Sequence, residues 1–366
     1  MATIASVNLY RVHVPLDRTY PLSFLKDLTT LDSLIMEVTD SDGRVGFGEV
    51  TIIPGYTDET VESGWEFCKR YGEAILGQSV ASAKRTIVAL VADQPHAASP
   101  LMTSFEMLEG NPLLKITQRT KIPVLAPVRK FAEGELEAEV DELLGKGHKT
   151  LKIKVGFDPA ADLKRINFIR DRVAGRARLR VDANQGYSAA QGRSFAAALD
   201  PACIDWFEQP CDRKDWESNA QVAAASAVPV MLDEQIYSFE EIQRAAGIPN
   251  VGYIKHVIEK YGGMDLLKAG LDHIRICGMK PVLGNGGATD ISTWFEGCVA
   301  RVAVSLPCEF HSFLKVKEPL LDPPLGFEDG NLVIEAGYAP SINRKRLETW
   351  TVANESFSGR KAAAAR

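Results

Sequence analysis

Five short stretches decide the fold: TLKIKV (150–155), LRVDAN (179–184), DWFEQP (205–210), VMLDE (230–234) and GYIK (252–255). Each stretch is an apolar run that ends in charged residues, and helix-length segments separate the runs. Strands that alternate with helices in this way predict a parallel sheet. Because the carboxyl ends of parallel strands meet at one edge, the charged residues are expected to lie together there.

Eight candidate strands follow this rhythm and predict an α/β barrel of the TIM type, with an open doubly wound sheet as the rival. They cover 123–127, 150–155, 179–181, 204–207, 228–232, 252–254, 281–283 and 302–305. Strands at 4–14, 33–38 and 45–50 and helices at 59–76 and 82–91 predict a small α+β domain before the barrel. We expect that domain to span 1–121 and to be completed by 325–358, with strands at 332–334 and 349–352, while the barrel spans 122–324.

The composition of the 366 residues is that of a soluble globular protein, with 45% hydrophobic residues and a net charge of -6. It predicts neither a basic surface for nucleic acid nor a membrane partner, and no apolar run is long enough to span a bilayer. The six cysteines are scattered without a CxxC pair, which favours reduced thiols in the cytoplasm over a zinc site or disulfides. Residues 360–366 are expected to form a frayed tail.

Three carboxylates, Asp182, Glu208 and Asp233, end three successive predicted strands about one βα unit apart. On neighbouring strand ends they would repel one another unless a cation lay between them. Hard oxygen ligands of this kind suit Mg²⁺. Any one of them could instead cap a helix or lie in a turn, but their shared register favours a metal site.

Two lysines, Lys152 and Lys154, stand two residues apart on one strand and therefore point to the same face. Because the apolar face of a barrel strand meets the helices, both lysines are expected to point into the barrel. Burial near another lysine and a metal ion favours the neutral amine, which is the form that a general base needs. A half-exposed strand with solvated lysines is the alternative. Lys255, four strands away, would face Lys154 across the barrel, and Lys260 in the following loop competes with it.

These motifs, in this order, resemble the muconate-lactonizing branch of the enolase superfamily, which includes muconate cycloisomerases, dipeptide epimerases and N-acylamino acid racemases. They are K-x-K (152–154), V-D-A-N (181–184), F-E-Q-P (207–210), D-E (233–234) and a lysine followed by G-G (255 and 262–263), together with G-F-G-E-V (46–50). The resemblance implies a (β/α)7β TIM-type barrel with an N-terminal α+β capping domain. It also implies Mg²⁺ on Asp182, Glu208 and Asp233, with Lys154 and Lys255 as the acid/base pair and Lys152 in support. In such enzymes the substrate carboxylate binds the metal, and loss of the α-proton gives an enediolate that the metal stabilises.

Three segments depart from that branch, so the substrate is expected to differ from those of its best-known members. The gap from Lys255 to Gly262 is long, strand seven ends in GNGGATD (284–290), and strand eight leads to CEF (308–310) without an acidic D-x-D. Candidate substrate residues are Tyr20, Tyr56, Asn184, Asp290 and Glu309, the two acids because each could pair with a substrate ammonium. No histidine lies where a His–Asp base pair would need it.

The favoured function is a racemase or epimerase of a carboxylate such as an amino-acid derivative, because two opposed lysines suit proton transfer on both faces of one carbon. β-Elimination by a dehydratase of a hydroxy acid or hydroxylated amino acid, and cycloisomerisation, start with the same step and stay open. A non-catalytic barrel that binds a small molecule is the alternative of another class. The resemblance further implies a homo-oligomer.

Overall fold

The computed structural model describes residues 2–20 and 28–359, so the tail predicted at 360–366 lies outside the described residues. The strands are β1 (Ile4–Tyr20), β2 (Leu28–Asp40), β3 (Val45–Thr51), β4 (Thr120–Pro123), β5 (Ala126–Val128), β6 (Thr150–Lys154), β7 (Arg178–Asp182), β8 (Ile204–Glu208), β9 (Val230–Leu232), β10 (Val251–His256), β11 (Lys280–Leu283), β12 (Leu321–Asp322), β13 (Gly326–Glu328), β14 (Asn331–Ile334), β15 (Ser341–Ile342) and β16 (Thr351–Ser358). The helices are α1 (Val61–Ala74), α2 (Val80–Val88), α3 (Pro95–Leu108), α4 (Glu133–Gly145), α5 (Pro159–Val173), α6 (Ala189–Ala197), α7 (Trp216–Ala225), α8 (Phe239–Ala246), α9 (Met264–Ile276), α10 (Asp290–Ala303) and α11 (Arg344–Trp350). In these two ranges, no helix combines the length and the apolar character that a membrane crossing requires.

A four-stranded antiparallel sheet of order β16-β1-β2-β3 forms the first layer of the molecule. A tight turn at Asp42-Gly43 joins β2 to β3, and Gly43 has a φ of 81° that suits glycine. Helices α1, α2 and α3 enclose an apolar core with this sheet. The strand predicted at 349–352 begins at Thr351 as β16 and pairs with β1.

Two glycines of β3 allow α3 to lie directly against the sheet. A Cβ at Gly46 would stand 2.1 Å from the carbonyl oxygen of Ser104, and a Cβ at Gly48 would stand 2.0 Å from Thr103 Oγ1 and 2.3 Å from the carbonyl oxygen of Pro100. Alternate residues of a strand face the same side, so the spacing of two places both glycines under α3.

The intervening residues of β3 point the other way, towards α10. The Phe47 ring lies 5.7 Å from the Trp294 ring and 6.2 Å from the Phe295 ring, measured between centroids. The Glu49 carboxylate accepts hydrogen bonds from the backbone and hydroxyl of Ser292 at the start of α10. Strand β3 therefore connects the first sheet to the rest of the chain through these side-chain contacts.

Seven parallel strands, in the order β11-β10-β9-β8-β7-β6-β5, form the second sheet, which curls into a barrel-like α/β fold. Two apolar clusters lie between these strands and the surrounding helices. The segment at Cys308 bridges the two edges of the sheet through three backbone hydrogen bonds. Cys308 N donates to Pro123 O (2.8 Å), Leu125 N donates to Cys308 O (3.0 Å), and Glu309 N donates to Leu283 O (3.0 Å).

Two predicted strands are corrected. Residues 302–303 are the last turn of α10, so the strand predicted at 302–305 is wrong; a short apolar run does not distinguish a helix end from a buried strand. The strand predicted at 123–127 is divided into β4 and β5. The strand predicted at 332–334 is confirmed as β14, which pairs with β4 and β13.

Side-chain caps fix where two barrel helices begin. At α5, Asp158 Oδ1 accepts the Ala161 N–H at 2.8 Å, and Pro159 follows at the first helical position. At α8, Ser238 and Glu241 form a reciprocal capping box.

Substituting Gly48→Ala is expected to lower the free energy of unfolding by about 3 kcal/mol, because the new methyl group would overlap the backbone of α3. Thermal unfolding followed by circular dichroism measures the change. The matched control is Gly134→Ala in α4, where a Cβ meets no atom within 4 Å and helix propensity predicts a small gain of about 0.5–1 kcal/mol. Equal melting temperatures for the two variants would contradict the close packing of β3 on α3.

Candidate active site

A cavity of about 390 Å³ lies at the carboxyl end of the parallel sheet. Residues at or just after the ends of barrel strands line one side, and residues from β1, β2, β3 and the loop after β3 line the other. The size is typical of a pocket for a small molecule. The cavity thus lies between the two sheets, where the predicted strand-end residues meet.

The strand register brings three predicted residues to one level. Lys154 on β6 is paired with Asp182 on β7, and Asp182 is paired with Glu208 on β8. Asp233 follows β9, whose Leu232 is paired with Ile254, so Asp233 and Lys255 are next in register. Five charged side chains from five neighbouring strands therefore converge.

Lys152 lies among three carboxylates in the barrel interior. Its Nζ is 2.8 Å from Asp182 Oδ2, 2.7 Å from Glu208 Oε2 and 2.7 Å from Glu309 Oε1. Only 2% of its side chain is exposed. A buried ammonium needs such partners, because an isolated charge in a protein interior costs several kcal/mol.

Lys255 has the same environment on the other side of Glu208. Its Nζ lies 2.7 Å from Asp233 Oδ2, 3.1 Å from Glu208 Oε1 and 3.2 Å from Glu309 Oε2. Lys260 Nζ approaches Asp233 as well, at 2.9 Å from Oδ1, and donates to the backbone oxygen of Asp233. Both lysines considered for strand six therefore reach the same carboxylate.

Lys154 is the most accessible lysine of this group, with 32% of its side chain exposed. It donates to Asp182 Oδ2 and to Asn184 Oδ1. Asn184 in turn donates to Glu234 Oε1 at 2.8 Å and has a φ of 38°. The left-handed turn after β7 thus aims the Asn184 amide at both Lys154 and Glu234.

The carboxylates keep the buried lysines protonated. Burial lowers the pKa of Lys152 and Lys255, but Asp182 and Glu208 outweigh it for Lys152, and Asp233 and Glu208 outweigh it for Lys255, so both pKa values lie above the ordinary lysine value. The predicted shift of the inward lysines towards neutrality is not found for Lys152. Each of its neighbouring acids adds a stabilising charge that the sequence argument did not count.

The three predicted metal ligands differ in the direction in which their pKa values are shifted. Burial raises the pKa of Asp182 and Asp233, but the lysines beside them lower it further, so both pKa values lie well below the usual range. Burial first, and then the charge of Asp182, raise the pKa of Glu208 to about 8 despite its lysine neighbours. Among the three predicted metal ligands, Glu208 is therefore the one whose pKa is raised.

The three predicted metal ligands have the chemistry that Mg²⁺ prefers, since all are carboxylates on adjacent strand ends. Glu208 Oε2 is buried and makes no hydrogen bond to any described residue, although Lys152 Nζ lies 2.7 Å away. Lysine ammonium groups lie between the acids, and no group of three His, Cys, Asp or Glu side chains in the described ranges converges closely enough to hold an ion. The chemistry of the donor set fits a hard cation, whereas lysine ammonium groups occupy the space between the acids in this structure.

Four of the five predicted substrate residues line the cavity: Tyr20, Tyr56, Asn184 and Glu309. Asp290 is not among the lining residues, which corrects its predicted role. Its carboxylate is buried and accepts the backbone N–H groups of Leu320 (2.9 Å) and Leu321 (2.7 Å). Glu309 is already paired with Lys152 and Lys255, so it does not offer a carboxylate to a substrate ammonium.

Several lining residues were not singled out in the sequence. Arg129 directly follows β5, so the rule that charged residues end strands could have found it. Lys315 follows a short 3-10 helix at Phe310–Leu314 and has no periodic signal. Tyr237 donates its hydroxyl hydrogen to the backbone oxygen of Tyr56 at 3.0 Å, a contact between the barrel and the loop after β3.

Comparisons with known proteins agree with the motif resemblance. A family model described as Enolase C-terminal domain-like matches residues 135–340. The L-Ala-D/L-Glu epimerase of Bacillus subtilis (strain 168) is 29% identical over 276 residues, covering 69% of this chain and 74% of that protein. Muconate cycloisomerase 1 of Rhodococcus opacus is 25% identical and covers 95% of this chain and 98% of that protein. The crystal structure of a dipeptide epimerase from Cytophaga hutchinsonii, complexed with Mg and the dipeptide D-Ala-L-Val, superposes with a TM-score of 0.87 at 18% identity, covering 97% of this chain and all of that one (100%).

Substituting Lys152→Met is expected to lower the free energy of unfolding by about 3–5 kcal/mol, because it removes the charge that compensates three buried carboxylates. Urea unfolding at pH 7 measures the loss. Lys149→Met, at an exposed position one residue before β6, is the matched control and is expected to change stability by less than about 0.5 kcal/mol. Equal unfolding midpoints would show that the network does not stabilise the barrel.

Proposed function

This chain belongs to the enolase superfamily through its enolase C-terminal domain-like segment, and on that premise we propose that it is a racemase or epimerase of an amino-acid derivative. In the proposed reaction, the enzyme removes the proton beside a carboxylate and returns a proton to the same carbon. The relatives described above are epimerases and a cycloisomerase, so the non-catalytic alternative is set aside.

The observation that carries this proposal is the placement of Lys154 and Lys255 on strands β6 and β10. The strands that bear the three acids, β7, β8 and β9, lie between them in the sheet. A carbon held above those acids would have one lysine towards each face. Proton removal by one lysine and proton delivery by the other would then invert that carbon.

Accessibility supports Lys154, rather than Lys152, as the group that meets substrate. Its side chain is 32% exposed, against 2% for Lys152. As the neutral amine, Lys154 would take the α-proton and become an ammonium ion, while Lys255 as ammonium would deliver a proton to the opposite face and become an amine. In the reverse direction the two lysines exchange these roles, and Lys152 holds the acids in position.

Lys255 is a better candidate than Lys260 for the second acid/base group. The ammonium group of Lys260 donates to Asp233 Oδ1 and lies within hydrogen-bond distance of two backbone oxygens, those of Asp233 and Lys255. These acceptors anchor it to the loop. Among the described residues, the hydrogen-bond and ion-pair partners of the Lys255 ammonium group are all carboxylates: Glu208 and Glu309 by hydrogen bonds and Asp233 as an ion pair. Lys255 can therefore change partners within the network.

We propose Asp182, Glu208 and Asp233 as the ligands of Mg²⁺. When bound, the ion would supply positive charge beside the substrate carboxylate and would stabilise the negative charge that develops as the α-proton leaves, an effect typically worth several kcal/mol. The proposal rests on the carboxylate donor set and on the burial of all three acids at adjacent strand ends. The Mg in the Cytophaga hutchinsonii complex supports it.

Cycloisomerisation is the second candidate. The Rhodococcus opacus cycloisomerase matches 95% of the chain, whereas the Bacillus subtilis epimerase matches 69%. β-Elimination starts with the same proton removal and differs in the fate of the product. All three reactions share the removal of the α-proton, and the residues that line the pocket decide the fate of the resulting enolate.

Proton exchange at the α-carbon tests the proposed function. In D₂O with Mg²⁺, NMR is expected to show exchange with inversion for an N-acyl amino acid or a dipeptide within a panel that also includes hydroxy acids and muconate. Lys154→Ala and Lys255→Ala are each expected to slow inversion at least about 100-fold, because each removes one acid/base group. The exposed Lys164→Ala is the control and should retain the wild-type rate. Inversion at the wild-type rate in either active-site variant would refute the two-lysine assignment, and loss of a hydroxyl or ring closure would identify the other reactions.

Magnesium affinity is expected to rise as the pH increases from 6 to 8. The pKa of Glu208 is raised to about 8, so below that pH its carboxyl group binds a proton that the metal must displace. Isothermal titration calorimetry should show up to about tenfold tighter binding per pH unit. Glu208→Gln is expected to bind Mg²⁺ weakly and with less pH dependence. Equal wild-type affinity at pH 6 and pH 8 would exclude Glu208 as the titrating ligand.

A further inference from the structure

One sector of the cavity carries positive charge. Arg129 follows β5, Lys154 ends β6, and Lys315 follows the segment that bridges the edges of the barrel sheet at Cys308. These positions are neighbours around the barrel, because Cys308 is bridged to Val124 just before β5. In the other sector, after β9 and β10, the lining acids Asp233, Glu234 and Glu259 stand beside Lys255 and Lys260. Glu309 lies in the first sector and is paired with Lys152 and Lys255. Lys154, Arg129 and Lys315 therefore outnumber the lining acid of their own sector.

Tyr20 lies between two of the cations. Lys315 Nζ is 4.9 Å from the centroid of its ring, and the Arg129 guanidinium carbon is 5.2 Å from the same centroid. The Tyr20 hydroxyl donates to Asp17 at 2.5 Å, which fixes the ring. Cation–π attraction to a fixed ring holds both positive groups at the cavity wall.

Lys315 has no acidic partner within 4.0 Å in the described part of the chain; its Nζ donates to the backbone oxygen of Gly286 at 2.7 Å. Burial, then the charges of Lys154 and Arg129, lower the pKa of Lys315 to about 7. Arg129 has one carboxylate, Glu139, at 3.3 Å. An anion beside Lys315 would relieve this repulsion, because a half-buried cation without an acidic neighbour is costly.

We propose that the substrate carries a second anionic group, remote from the carboxylate beside the reacting carbon, and that Lys315 and Arg129 bind it next to Tyr20. The inference rests on the proposed function, since it names the substrate class of the same site. It replaces the sequence-based expectation of a substrate ammonium held by Asp290 and Glu309, neither of which offers an unpaired carboxylate there. The second group belongs to either the acyl tail or the side chain of the amino acid.

Matched substrate pairs that differ by one charge test the proposal and separate the two positions. N-acetyl-L-glutamate is compared with N-acetyl-L-glutamine for the side chain, and N-succinyl-L-leucine with N-succinamoyl-L-leucine for the acyl tail. Exchange in D₂O and equilibrium binding by calorimetry are both measured with Mg²⁺. The carboxylate member of one pair is expected to exchange faster and to bind at least about tenfold more tightly, since a hydrogen bond between charged groups is worth more than one to an amide.

The variant Lys315→Gln is expected to reduce that preference at least about tenfold, and Arg129→Gln to reduce it in part. Lys317→Gln removes a nearby exposed lysine that does not line the cavity, and it should retain the wild-type preference. Exchange without any preference for the charged member would overturn the anion site while leaving the proposed function intact. Absence of exchange with every compound would count against the proposed function, and the binding data would then test the anion site separately. A preference for the charged member that is lost in Lys315→Gln supports the anion site. Equal binding of both members of each pair overturns it.

Discussion

The close packing of four lysines and four carboxylates in one network, buried except for Lys154, is the constraint on which the structure depends. Lys152, Lys154, Lys255 and Lys260 meet Asp182, Glu208, Asp233 and Glu309, and their distances lie within ion-pair range. No member is tolerable alone in a protein interior, because the cost of removing a charge from water is recovered only through well-placed partners. The strand register supplies that placement, so the fold and the network require each other.

The first sheet and the loop after β3 face the network across the cavity. The first sheet is fixed to the barrel through β3, whose glycines lie under α3 and whose Phe47 and Glu49 contact α10. This attachment places Tyr20 and Tyr56 over the strand ends. The same contacts that hold the two sheets together therefore shape the walls of the cavity. A substitution at the contacts of β3 with α3 and α10 is therefore expected to alter substrate access, even though these residues lie outside the charged network.

Most of the barrel strands and the charged residues at their ends can be predicted from the sequence, because an apolar run and the charged residue that follows it are local features. An apolar run followed by a charged residue at one βα spacing places Lys154, Asp182, Glu208, Asp233 and Lys255 without knowledge of the tertiary fold. The predictions that depend on tertiary context were weaker. Residues 302–305 looked like a strand but end a helix, and Asp290 looked like a ligand but is bound by backbone N–H groups from a distant loop. The contact between the Lys315 ammonium group and the Tyr20 ring joins segments almost 300 residues apart, so no local sequence pattern could predict it.

The pairing of β16 with β1 bears on how the chain is made. Strand β1 (Ile4–Tyr20) leaves the ribosome long before Thr351–Ser358, the strand that covers its outer edge. During synthesis β1 must therefore wait, with unpaired edge N–H and C=O groups, until β16 has emerged. The barrel strands can pair in the order in which they are translated, since each is adjacent in the sheet to its predecessor from β5 to β11. Completion of the first sheet is thus a late event in folding, and the nascent edge of β1 is the surface that a chaperone would have most reason to shield.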